Sequence, residues 1–96
     1  MSLLPIRSRA LHYISTVEKA SIDNVMEGLK AEYGTERQFT KTNFADHLMN
    51  LHANGLIDEV SYDLDKDGQL RIFYKISDDG INTINRYLPK KWHVKN

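Results

Sequence analysis

The chain has 96 residues, 41% of them hydrophobic and 27% charged, a composition that supports one compact domain and excludes both a second domain and the polar make-up of disordered chains. It contains no cysteine, which excludes disulfide staples, thiolate metal sites and a cysteine nucleophile. Thirteen basic residues balance thirteen acidic ones, so any surface that faces a polyanion has to be a local positive patch on a neutral body.

Ile6, Ala10, Ile14 and Val17 recur at steps of four, four and three, which predicts a first helix over 5–18 with Pro5 in a position that suits it. Ser21 is a capping residue ahead of Ile22, Val25, Met26, Leu29 and Tyr33, a spacing that predicts a second helix over 22–33 stopped by Gly34. Residues 35–39 form a short polar connection from which Phe39 plugs the core. Thr40 caps a third helix over 41–54, with Phe44, Leu48 and Leu51 inward and Asn54-Gly55 as its stop signal. Lys41, Thr42, Asn43, Asp46, His47 and Asn50 make up its outward, polar face. Arg7 and Arg9 lie opposite the core stripe of the first helix, with no assigned role.

After Gly55 the period changes from helical to two, and residues 56–76 read as a β-hairpin. Val60, Tyr62 and Leu64 alternate on one strand, Leu70, Ile72, Tyr74 and Ile76 on the other, and Asp65-Lys66-Asp67-Gly68 is the turn. Ser77 caps a final helix over 78–88, with Asp78 and Asp79 placed well against the helix dipole and Ile81, Ile84 and Leu88 inward. Pro89 ends it, and residues 89–96 are a basic tail with the chain's one tryptophan, Trp92. The expected class is α+β: a three-helix bundle, a two-stranded hairpin and a closing helix. The opening residues lack the apolar core of a signal peptide, and no stretch approaches the roughly 18 to 20 apolar residues of a membrane span, so a cytoplasmic protein without membrane contact is expected.

Phe44-x3-Leu48-x2-Leu51-x3-Gly55-Leu56-Ile57, followed by Tyr74-x-Ile76-Ser77-x2-Gly80, resembles the winged helix-turn-helix superfamily, nearest to small bacterial regulators of the MarR and PadR kind. The resemblance implies a transcriptional regulator that binds double-stranded DNA as a homodimer, with the third helix in the major groove and the hairpin as a wing. Lys41, Thr42, Asn43, His47 and Asn50 would then face the bases and nearby phosphates, while Arg37 and Gln38 before the helix and Lys66 and Arg71 in the wing would contact the backbone. This sequence departs from the family in its wing, Asp63-Leu64-Asp65-Lys66-Asp67, which is net negative, and in Asp46, which would repel phosphates. These departures favour the alternative, a winged-helix module that binds another protein and no DNA.

Three further patterns carry less. Asp63-x-Asp65-x-Asp67-Gly68 copies the start of a calcium-binding EF-hand loop, but Tyr74 stands where the bidentate glutamate belongs, and the segment reads as a charged hairpin tip. His12, His47, His52 and His93 include no pair at i, i+3 or i, i+4, so no metal set is expected. Neither a nucleophile motif nor a phosphate-cradling loop occurs, and no enzyme activity or cofactor is expected. Segments available for a dimer are the first helix with Leu3 and Leu4, and the last helix with Tyr87, Trp92 and Val94. Trp92 suits either an interface anchor or a plug on its own domain, and the sequence leaves both open.

Overall fold

The computed structural model describes residues 4–94, so the expectations placed on Leu3 and on the last two positions of the 89–96 tail lie outside the described residues. The fold is α+β: α1 (Ile6–Ser15), α2 (Ile22–Tyr33), α3 (Lys41–Ala53), β1 (Ile57–Leu64), β2 (Leu70–Ile76) and α4 (Asp78–Tyr87), followed by a 3-10 turn at Lys90–Trp92. Among the described residues the two strands form an antiparallel sheet in the register Ile57↔Ile76 to Leu64↔Leu70. The layout is compatible with that of a winged helix.

Local chemistry accounts for the ends of the elements. α2 starts in a reciprocal cap in which the Asn24 amide donates to the Ser21 hydroxyl and the Ser21 amide to the Asn24 side chain. α3 starts where Thr40 accepts from the Asn43 amide, and the chain leaves it through Gly55 at a φ of 76°, a conformation that glycine adopts without strain. α1 stops three residues short of its expected end. The Ser15 and Thr16 hydroxyls donate to the carbonyls of His12 and Tyr13, and the chain then straightens so that Ala20 pairs with Tyr74 of β2 through two backbone hydrogen bonds of 2.9 Å. This bridge adds a short third rung beside the hairpin that periodicity did not reveal.

Three helices close on one core. Ala10, Leu11 and Ile14 of α1, Val25, Leu29 and Tyr33 of α2, and Phe44, Leu48 and Leu51 of α3 are all buried, with Phe39 packed edge-on against Phe44 at 5.2 Å. Each buried valine, leucine, isoleucine or phenylalanine side chain among them contributes about 1.5–3 kcal/mol by leaving water. Ile57, Tyr74 and Ile84 bring the base of the hairpin and α4 into the same core. The rest of the hairpin behaves differently. Beyond Ile57 every residue of β1 is exposed, and of the alternating apolar row only Tyr74 is buried. The period-two reading therefore placed the strands correctly but not what lies against them.

α4 returns to the body at one crowded joint. Ser77 caps the helix by accepting from the Gly80 amide, its hydroxyl donates to the Gly55 carbonyl at 2.6 Å, and its own amide donates to the Leu56 carbonyl. The tail then folds back. Trp92 packs edge-on against His12 at 4.9 Å with the Arg9 guanidinium 5.2 Å from its ring centre, and Asn85 exchanges two hydrogen bonds with the backbone of Val94. Of the two roles open to Trp92, the structure shows the intramolecular one.

Gly80 tests the joint. A methyl group there would stand 2.1 Å from the Leu56 carbonyl oxygen, a backbone atom with little freedom to withdraw. Gly80→Ala is expected to cost roughly 2–3 kcal/mol despite the better helix propensity of alanine, measured as the loss of unfolding free energy in urea.

Candidate nucleic-acid interface

Eight of the nine residues singled out from the sequence fall into three groups in space, and Asn50 stands apart. Arg37, Gln38, Lys41 and Thr42 are exposed in the turn before α3 and on its first residues. Asn43 and His47 point back into the protein's own contacts. Lys66 and Arg71 lie on the hairpin, and Asn50 is exposed one to two turns further along α3, where its carbonyl accepts from Asn54.

Each side chain's commitments decide what it has left to offer. Asn43 donates from its amide side chain to the Gln38 carbonyl at 3.0 Å, which fixes the turn at the expense of a free donor. Lys41 has a single contact to Asp23 at 3.4 Å, with both groups more than half exposed. Exposed pairs of this kind are worth about 0–1 kcal/mol, so a phosphate can displace the carboxylate. Arg71 is held more tightly: Nε and Nη2 donate to the two oxygens of Asp63 at 2.7 and 2.8 Å. This fork-to-fork geometry holds the Asp63 carboxyl below its ordinary range and pushes the Arg71 guanidinium further up. Lys66 is exposed at the tip between Asp65 and Asp67. Lys41 and Arg71 line one cleft between the body and the hairpin, which they share with Asp23, Asp65, Leu70 and Ile72.

His47 was expected on the outward face, and the structure places it differently. It is half-buried, its ring meets Phe44 edge-on at 5.9 Å, and its Nδ1 accepts from Arg7 Nε at 3.1 Å. Its Nε2 is buried without a hydrogen-bond partner. The reason is helical geometry: position 47 lies three residues from Phe44 and so shares part of its inward side, next to α1. This contact reveals a residue that the sequence reading left unassigned. Arg7, forty positions away in the chain, stands exposed beside α3 and the preceding turn, whereas Arg9 is drawn inward by Glu32 at 2.9 Å. Met49 is the other addition, an apolar side chain 66% exposed on a face expected to be wholly polar.

The hairpin tip uses its carboxylates on itself. Asp65 accepts from the amides of Asp67 and Gln69, Gly68 turns the chain at a φ of 80°, and Asp63 is taken by Arg71. Among the described residues no group of three or more histidines, aspartates or glutamates comes together in a way that could hold a metal ion. Among the described residues no helix is long and apolar enough to cross a membrane. Neither the family models nor the curated proteins compared with the chain match it.

The histidines make a pH prediction. Burial lowers the pKa of His47, with Arg7 adding to the effect, and burial together with Arg9 lowers that of His12. Below about pH 6.5 the unfolded chain therefore binds protons that the folded chain refuses, so stability falls as the pH drops through that value. Denaturation curves between roughly pH 7.5 and 5 are expected to show this fall, with a slope below about 1.4 kcal/mol per pH unit for each histidine. His47→Gln should flatten it.

Proposed function

We propose that the protein is a winged-helix DNA-binding domain that docks α3 and the turn before it onto duplex DNA and acts as a homodimeric transcriptional regulator. The observation that carries this reading is the exposed cluster of Arg37, Gln38, Lys41 and Thr42 at the start of α3, joined across space by Arg7. Donors at the N-terminal end of a helix that enters the major groove are the ones that meet base edges and flanking phosphates. Thr42 and Asn50 offer hydrogen bonds to bases, and Met49 offers an apolar contact to a thymine methyl group. The cations of α3 and its surroundings are free or loosely paired, whereas Arg71 on the hairpin is neutralised by Asp63. In this reading the wing contributes little to phosphate binding. A dimer would set two α3 helices one turn of the duplex apart.

One observation favours a second reading, a protein-binding module without affinity for DNA. The segment 55–76 carries five acidic residues against three basic ones, and one of the three is Arg71.

Salt separates the two. With Arg7, Arg37 and Lys41 on phosphates, the affinity for mixed-sequence duplex should fall roughly 40-fold per protomer between about 50 and 200 mM salt, read by fluorescence anisotropy. Lys41→Ala should weaken binding and reduce the salt slope by about one, while Arg71→Ala leaves the slope unchanged. If the wild-type protein fails to bind at the lower salt, the DNA reading is wrong and the protein-binding one takes its place.

A further inference from the structure

The hairpin has an apolar face that the molecule does not cover. In the register of the sheet, Tyr62 opposes Ile72 and Leu64 opposes Leu70, so these four side chains share one face, with Val60 at the bulge beside them. Nearer the body the same face carries Ile57 and Tyr74 into the core. Towards the tip it runs out into solvent: Val60 is 48% exposed, Tyr62 69%, Leu64 65% and Leu70 63%. Val60, Tyr62, Leu70 and Ile72 line a shallow groove. Scattered exposed leucines are ordinary, but a contiguous row of them with a tyrosine, of the order of a few hundred Å², is the size of patch that marks an interaction site.

Two observations select the occupant. The first is charge. Glu59, Asp65 and Asp67 stand at the margin with Lys66, and Asp23 and Lys41 face the patch across the cleft, where Lys41 is paired to Asp23. On the opposite face Asp63 is matched by Arg71; at the margin Glu59 has His52 at 3.9 Å, and Asp65 and Asp67 outnumber Lys66, so the excess of formal charge there is negative. Stacking two hairpins face to face would bring like charges together, and a strand added along β1 would meet Asp58 and Glu59 next to a bulge, the means by which sheet edges resist self-pairing. The second is area. A stable dimer needs about 800 Å² from each partner, more than a row of four partly exposed side chains supplies, whereas a single peptide-sized element needs less. We infer that the apolar face of the hairpin docks a segment of a partner protein that presents apolar side chains flanked by lysine or arginine. This inference goes beyond the DNA reading and does not rest on it.

The test uses three synthetic 18-residue helical peptides and the whole ¹⁵N-labelled protein. One peptide has leucines on one face and lysines on the other, the second replaces lysine by glutamate, and the third keeps lysine but replaces leucine by serine. The first should bind, with amide shifts confined to residues 59–64 and 70–72, and the other two should bind at least about tenfold more weakly. Leu64→Ser/Leu70→Ser, and separately Tyr62→Gln, should each weaken the first peptide about tenfold or more while leaving the melting temperature within a few degrees, because these side chains are exposed. The inference is overturned if the glutamate or serine peptide binds as well as the first, if the shifts fall elsewhere, or if the variants bind unchanged. Sedimentation equilibrium adds one more outcome: a dimer lost in the Leu64→Ser/Leu70→Ser variant would give this face to a second copy and refute the partner assigned here.

Discussion

Two backbone junctions at the base of the hairpin hold the architecture together. On one side Ala20 and Tyr74 exchange amide and carbonyl, tying β2 to the connection between α1 and α2. On the other, Ser77 ties the end of β2 to the carbonyls of Gly55 and Leu56, which close α3 and open β1. A two-stranded hairpin alone is marginal in water, so these bonds and the burial of Ile57 and Tyr74 give it a fixed direction. The same clamp limits how far the core reaches. The strands extend past the last helix able to cover them, and their tip keeps an apolar face because nothing in the body follows it outward.

The two junctions also explain what the sequence could and could not reveal. Helical periodicity is a local property that bundle packing reinforces, and the inward rows Val25-Leu29-Tyr33 and Phe44-Leu48-Leu51 are buried as their spacing requires. Caps are equally local, and Ser21, Thr40 and Ser77 all act as such. Alternation in a strand says which side is apolar but not whether another element lies against that side, so Tyr62, Leu64 and Leu70 were legible as a row and not as an exposed one. Contacts between distant positions left no trace: the bond from Arg7 to His47 and the seat of Trp92 on His12 depend on how α1 crosses α3 and the tail. Most of the fold was therefore readable, while the state of each site residue was not, since exposure and pairing are set by tertiary neighbours.

The zero net charge hides a division of labour among these neighbours. Arg9 and Lys91 both stand over Trp92, Arg71 belongs to Asp63, and Lys19 lies above the Phe73 ring at 4.8 Å while also donating to Ser61. Four of the thirteen basic residues are thus engaged against the tail and the hairpin. Arg7, Arg37 and Lys41 are exposed around the start of α3, while Lys30, Lys66, Lys75, Arg86 and Lys90 are exposed elsewhere on the surface. The mean charge of the chain is a poor guide to its electrostatics for this reason: pairing removes cations selectively, and the selection is geometric.

The two proposed surfaces meet at Lys41. This residue stands at the start of α3, and it also lines the cleft whose far wall is Leu70, Arg71 and Ile72. A segment seated on the hairpin face with lysine or arginine at its margin would draw on Asp23 and Asp65, the carboxylates that line the same cleft as Lys41. Removing Asp23 from Lys41 would free that ammonium for a phosphate, whereas a bulky segment reaching across the cleft would cover it. The balance depends on the length of the segment beyond the apolar row, because Asp23 weakens the pull of the Lys41 ammonium on a phosphate without preventing the contact. If α3 binds DNA and the hairpin docks a segment as proposed, the two would be linked through the Lys41–Asp23 ion pair, and a ligand that engages Asp23 would change the affinity of α3 for phosphate.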